Sequence, residues 1–206
     1  VIRVVGLDTS QSSTGIARAD IEVAGHHDAV GVVRGSWTGS VGIPPIARAS
    51  SVGEIRGPLA VLARLVDKAV GEPDLLVIEG PAVYAGNAGA LTLVGSWWLI
   101  VDRILATRPA LPILKVAPSK LKLYVTGDGR ADKAAMVKAG RRHYGPAFDL
   151  PTDRTVTDVV DAIGLVAIGA RYSGIPIDSD HPDRARAMEG VSLHPVPAPP
   201  KRAGRT

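Results

Sequence analysis

The sequence predicts an α/β domain on a mixed five-stranded sheet flanked by helices, the first three strands antiparallel and the later two parallel to the first. Two observations carry this. Apolar runs at 1–7, 14–19 and 29–38, with no helical stretch between them, read as a meander of strands. Two further apolar runs, 74–78 and 112–116, each follow a stretch with helical spacing. A strand reached through a helical crossover lies parallel to its predecessor.

The elements follow in order. Val1 to Leu7 is a buried strand ending at Asp8, and Thr9-Ser10-Gln11-Ser12-Ser13 is a turn. Thr14 to Ala19 returns, and Ala29 to Thr38, with Val30, Val32, Val33 and Trp37, is the third strand. Gly39 to Pro45 is a loop by its Gly and Pro content. From Ser50 to Val70, Ile55, Leu59, Leu62, Leu65, Val66 and Ala69 keep helical spacing, with Arg56, Arg64 and Lys68 for the polar side. Gly71-Glu72-Pro73 ends that helix, and Asp74 to Ile78 is a short strand stopping at Glu79. Gly80 to Gly89 is a loop, with Gly86-Asn87-Ala88-Gly89 at its flexible end.

Ala90 to Ala106 is a second, strongly apolar helix. Its adjacent Trp97 and Trp98 point about 100° apart, so one belongs in the core and the other faces outward. Pro112 to Val116 is the fifth strand, and Pro118 to Tyr124 is a short helical or irregular piece. The turn Gly127-Asp128-Gly129 precedes a basic helix from about Ala131 to His143. Thr155 to Tyr172 is a long apolar helix interrupted by Asp158 and Asp161. After Gly174 the periodicity fades. The division is therefore a folded domain over 1–174 and an irregular segment over 175–206, whose end is Pro-rich, basic and expected to be disordered.

Composition narrows the function classes. Of 206 residues, 46% are hydrophobic and 21% charged, which suffices for a real core and excludes wholesale disorder. Aromatics are 4%, so that core is aliphatic. Cysteine is absent, which excludes disulfides, thiolate metal sites and cysteine nucleophiles and makes the cytoplasm the expected compartment. No run approaches the roughly 18 apolar residues of a membrane span, so no membrane partner is expected. The opening Val1-Ile2-Arg3-Val4-Val5 reads as a strand rather than a signal peptide. A net charge of +4 permits nucleic acid as a partner without requiring it.

The sharpest signal is the placement of four acids. Asp8 ends the first strand and Glu79 the fourth. In parallel neighbours both carboxylates emerge at the same end of the sheet, where open α/β sheets build their sites. Asp158 and Asp161, three apart on a helix, share a face otherwise flanked by Val159, Val160, Ile163, Val166 and Ala167. Any one of them alone is most simply a turn residue or a solvated helix edge. Together they would be costly to bury unless their charge were cancelled. Two Mg²⁺ ions match four carboxylates in charge and in preference for hard oxygen, and such a pair about 3.5–4 Å apart serves phosphodiester hydrolysis.

The second signal is basic. Between Lys115 and Tyr144 lie Lys115, Lys120, Lys122, Arg130, Lys133, Lys138, Arg141 and Arg142 against only Asp128 and Asp132, a local charge of +6. A phosphate backbone is its natural partner; a solvated helix face is the plainer alternative. Neither a G-x-x-x-x-G-K-[ST] loop nor H-E-x-x-H occurs. His26-His27 falls in a polar turn and reads as solvent-exposed.

Gly6-Leu7-Asp8-Thr9 with Thr14-Gly15, Val77-Ile78-Glu79, the run Val125-Thr126-Gly127-Asp128-Gly129-Arg130-Ala131-Asp132-Lys133, and Asp158-Val159-Val160-Asp161-Ala162 together resemble the RuvC-type Holliday junction resolvases in order and spacing over about residues 1–172. The resemblance implies an RNase H-like fold, a homodimer, and metal-dependent resolution of four-way DNA junctions by paired nicks. It implies Asp8, Glu79, Asp158 and Asp161 as ligands of two Mg²⁺ ions per site, with Mn²⁺ as substitute, and Lys122 and Lys133 near the scissile phosphate. Lys120, Arg130, Lys138, Arg141 and Arg142 are then the further DNA contacts, and the helix from Ala90 the dimer element. The family commonly has a base-contacting aromatic just after the Glu; here Gly80-Pro81-Ala82 follows and Tyr84 is the candidate. Bacterial members work beside a branch-migration motor, whereas a phage-type member would work without one, on a broader range of branched substrates such as forks and flaps. Two other readings compete: a junction-binding protein without catalysis, and a fragment of an actin-like or sugar-kinase ATPase, whose second domain and second phosphate hairpin are not seen.

Overall fold

The computed structural model describes residues 1–10, 12–24, 30–44, 46, 51–81 and 90–194. The sheet begins with β1 (Ile2–Asp8), β2 (Thr14–Ala24) and β3 (Val30–Val41), each antiparallel to the one before. The helix α1 (Val52–Val70) then crosses to β4 (Leu75–Glu79), which pairs parallel with β1. A second crossover, α2 (Ala90–Thr107), leads to β5 (Ile113–Val116), parallel to β4. Three helices follow: α3 (Pro118–Thr126), α4 (Lys133–Tyr144) and α5 (Val156–Tyr172). All five predicted strands are present with the predicted directions.

The departures have physical causes. β2 runs further than its apolar pattern because charged residues continue the hairpin: Glu22 pairs with Arg34 at 2.7 Å, and Asp20 with Arg3 on β1 at 2.6 Å; β3 runs on through Gly39–Val41, which pair with Thr14–Ile16. Such charge pairs support a ladder while erasing hydrophobic alternation. Beyond Gly174 lie a short helix, α6 (Pro182–Met188), and a two-residue strand, β6 (Leu193–His194), which adds a sixth strand antiparallel to β5. The sheet order is β3-β2-β1-β4-β5-β6. Two residues are too few to show a period, so β6 has no signature in the sequence.

Segment 175–194 is tied down by one buried carboxylate. Asp178 accepts hydrogen bonds from Tyr124 Oη at 2.9 Å, Tyr144 Oη at 3.0 Å and Arg171 Nη2 at 2.8 Å, and Arg184 Nε lies 3.3 Å away. These donors come from the ends of α3, α4 and α5 and from α6, so one side chain joins four helices.

Strand alternation divides the core into two layers. Val4, Ala17, Ala19, Val77 and Leu114 face α5, with α3 and α4 outside it. Val5, Leu7, Ile16, Leu76 and Ile78 face α1 and α2. α5 lies unusually close to the sheet. A Cβ at Gly6 would stand 2.0 Å from the Ala162 carbonyl oxygen, and one at Gly15 would stand 2.0 Å from that of Asp158. Only glycine permits this approach, and it is what brings the acids of α5 to the end of β1.

Candidate active site

Asp8 closes β1 directly opposite Gly15 on β2. On the other side Leu7 is in register with Ile78, so the next residues, Asp8 and Glu79, leave parallel strands at the same end. α5 begins over this end, with the backbone of Asp158 on Gly15 and Asp161 one turn further along. All four predicted acids therefore meet at the C-terminal edge of β1 and β4.

Their electrostatics show how close they are. Burial, with the neighbouring Glu79 and Asp158 charges, pushes the Asp8 carboxyl well above the usual carboxylate range. Burial also raises Glu79, with Asp161 adding to it, while a hydrogen bond from Asp8 relieves part of that rise. Asp161 is pushed up to about 8, first by burial and then by the charges of Asp8 and Asp158. Its Oδ1 is buried without a hydrogen-bond partner among the described residues.

An orphaned carboxylate oxygen beside three further carboxylates is the donor set of a hard divalent cation. Among the described residues no three ligating side chains form a ready-made single-ion cluster. The arrangement instead suits ions that take one or two carboxylates each and keep their own water, as Mg²⁺ does.

The predicted cations divide by position. Lys122 on α3 and Lys133, the first residue of α4, face the acids: Lys133 opposes the rise at Asp8 and Asp161, and Lys122 that at Glu79 and Asp161. The turn between these helices is built for this. Gly127 takes the left-handed conformation at φ 82° that ends α3, and the Asp132 carboxylate caps α4 by accepting from Ala135 N at 2.8 Å. Lys133, Lys138 and Arg141 line an open groove of about 500 Å³ together with Thr157. Thr157 carries no signal in the sequence beyond adjacency to Asp158, whose Oδ1 its hydroxyl approaches at 3.2 Å.

The other predicted cations lie elsewhere. Lys120 Nζ donates to the Arg186 carbonyl at 2.9 Å and so holds α6. Arg130 lines a separate groove with Lys120 and Arg186, and Arg142 a third with His143, His181 and Arg184. Tyr84, His26-His27 and Gly86-Asn87-Ala88-Gly89 lie outside the described residues, as does the tail from 195.

No family model matches the chain. Over 135 residues it is 30% identical to the crossover junction endodeoxyribonuclease RuvC of Frankia casuarinae, covering 65% of this chain and 70% of that protein. The chain belongs to the RuvC family. The RuvC of Gloeobacter violaceus is 32% identical over 99 residues, 48% of this chain and 53% of that one. Among solved structures, Thermus thermophilus RuvC superimposes with a TM-score of 0.58 at 16% identity, covering 84% of this chain and 97% of that one. The same protein in complex with a Holliday junction substrate gives 0.55 at 18% identity. At those identities the superpositions establish a shared fold, and that RuvC fold is the RNase H-like sheet predicted above.

Proposed function

We propose that this chain is a metal-dependent endonuclease of the RuvC family that resolves four-way DNA junctions by paired nicks, acting as a homodimer in the cytoplasm with Mg²⁺ as its metal. The observation that carries this is the meeting of Asp8, Glu79, Asp158 and Asp161 at one end of the sheet with Lys122 and Lys133 beside them. The four carboxylates hold the metal. Bound there, divalent ions supply an activated water and stabilise the leaving oxygen of the phosphodiester.

The chain's own residues do the rest. Lys133 and Lys122 place fixed positive charge where the transition state gains negative charge, in a partly desolvated site where such charge counts most. The groove of Lys133, Lys138 and Arg141 leads the DNA backbone into the site through phosphate contacts that carry no sequence information. Thr157 stands at its inner end beside Asp158.

The test is incubation with labelled four-way junction, fork and linear duplex, in Mg²⁺ and in EDTA. Paired symmetric nicks in the junction with Mg²⁺ alone are expected. Binding without any cleavage in Mg²⁺ or Mn²⁺ would leave a junction-binding protein instead.

A further inference from the structure

The aromatic pair on α2 is joined to the site. Trp97 is buried among Leu7, Ile78 and Ile100, yet its indole N–H leaves that core to donate to the backbone carbonyl of Glu79 at 2.8 Å. Glu79 is the last residue of β4, and just beyond it Gly80 N donates to the Val116 carbonyl at 2.8 Å. The Trp97 bond thus fixes the backbone from which a metal-binding side chain projects. Trp98 fixes Trp97 in turn: its ring stands edge-on to it, centroids 4.9 Å apart and planes at 90°, although Trp98 itself is 60% exposed. Edge-to-face packing is directional and restricts ring rotation.

We infer that Trp97 is a positioning residue for Glu79, braced from the surface by Trp98, and that the pair sets the metal affinity of the site. The inference rests on the metal-dependent reading above. A buried indole could fill this core as a phenyl ring would. What the indole adds is a donor at the backbone carbonyl of a residue that carries a carboxylate of the site. Partners that hydrogen-bond a ligating side chain itself matter 10–100-fold in affinity, and a brace on the ligand's backbone acts in the same direction.

The experiment is a Mn²⁺ titration of EDTA-stripped protein followed by electron paramagnetic resonance, beside thermal melts without metal. Trp97→Phe keeps an aromatic ring and removes the donor; it should weaken Mn²⁺ binding by roughly 10-fold or more. Trp98→Ala, on the outer face of α2, should weaken it in the same direction by a smaller factor. Two controls separate positioning from mere structure. Ile100→Val trims the same core one turn away without touching Glu79 and should leave Mn²⁺ affinity unchanged, whatever it does to the melt. Leu99→Glu alters the same face beside Trp98, so it matches Trp98→Ala in any loss of self-association, and it should also leave Mn²⁺ affinity unchanged.

Wild-type affinity in both Trp97→Phe and Trp98→Ala would overturn the inference. So would an equal loss in Ile100→Val. If Trp97→Phe does not fold, Trp98→Ala against Leu99→Glu decides alone. Absence of Mn²⁺ binding in the wild-type protein would overturn the metal reading of the site itself, a different result from wild-type binding that the tryptophans do not affect.

Discussion

Without metal the acids of the site are disfavoured in their ionised form, and this has a measurable consequence. Asp161 is raised to about 8 and Asp8 and Glu79 are raised with it, so the stripped native state holds protons that the unfolded chain releases near pH 4. Their contribution to stability is therefore fully present below about pH 4 and is lost as pH rises towards about 8. Melts in EDTA should show a Tm that falls between pH 5 and pH 8, apart from any general acid effect. Asp161→Asn removes the charge and should raise Tm at pH 8 by about 2–4 °C, the equivalent of ~1 kcal/mol, while abolishing cleavage and sparing junction binding. A Tm at pH 8 below wild type would refute the burial argument. The cations make a complementary case. Lys133 faces Asp8 and Asp161, whereas Arg141 stands two turns along the same groove. Single-turnover kinetics at saturating enzyme should show Lys133→Ala slowed by about 10²-fold or more, a loss of transition-state rather than ground-state interaction. Arg141→Ala should instead cut near the wild-type rate once bound, with weaker binding in Ca²⁺ and a salt slope smaller by about one. A wild-type rate for Lys133→Ala would move it among the phosphate contacts.

Between elements, the decisive contact is α5 on the β1–β2 hairpin. Gly15 opposes Asp8 in the ladder and carries the backbone of Asp158 on its bare Cα, so the spacing between the acids of α5 and Asp8 is set by a missing side chain. Gly15→Ala must push the first turn of α5 outwards. Overpacking of this kind costs about 1–3 kcal/mol, and here it should also lower cleavage at fixed Mg²⁺ by about 10-fold, partly recovered by raising the metal concentration. Gly53→Ala is the control, since nothing lies within 4 Å of a Cβ there; its melt should match wild type or exceed it. Cleavage by Gly15→Ala equal to wild type would mean the acids do not depend on this spacing. Much of the architecture was legible before the structure because each element carried its own period: α5 announced itself by an apolar run, and its two acids by interrupting it. Asp8 and Glu79 were legible because both end buried strands. What the sequence hid were interactions without periodicity. The Trp97 N–H on the Glu79 carbonyl joins residues 18 apart through backbone. Asp178 sits in a stretch with no hydrophobic pattern, and its role as the anchor of segment 175–194 depends on four donors scattered from Tyr124 to Arg184. Charge counting likewise gave no sign that the Lys120 ammonium donates to the Arg186 carbonyl of α6, because composition records how many cations a stretch has and not which carbonyls they meet.

At the scale of the whole molecule, the described residues of one chain bring together one such cluster of acids, while a four-way junction offers two equivalent strands. Paired nicks therefore need a second copy related by a two-fold axis. The surface that suits this is the outer side of the crossover helices. Trp98 is 60% exposed and Leu99 39% on α2, with Val61 and Leu65 about equally exposed on α1, whereas the cations of α4 lie on the layer across the sheet. We propose these exposed apolar side chains as the contact between two copies, since burying them would leave the basic groove of each copy free for a DNA arm. The two helices are held rigidly to one another for such a role. Asp67 of α1 accepts from Arg103 Nε at 2.9 Å, Arg108 Nη1 at 2.6 Å and Thr107 Oγ1 at 3.1 Å, all on or just beyond the end of α2. Leu99→Glu places a charge in the centre of this face without touching the acids or Trp97. Light scattering at micromolar concentration should report a dimer for the wild-type protein and a monomer for Leu99→Glu. The monomer should retain its Mg²⁺-dependent Tm shift and nick one strand of a junction at a time, so that a cruciform plasmid accumulates nicked circles before any linear product. Paired, simultaneous nicking by a variant that light scattering shows to be monomeric would place the partner's contact elsewhere or remove the need for it.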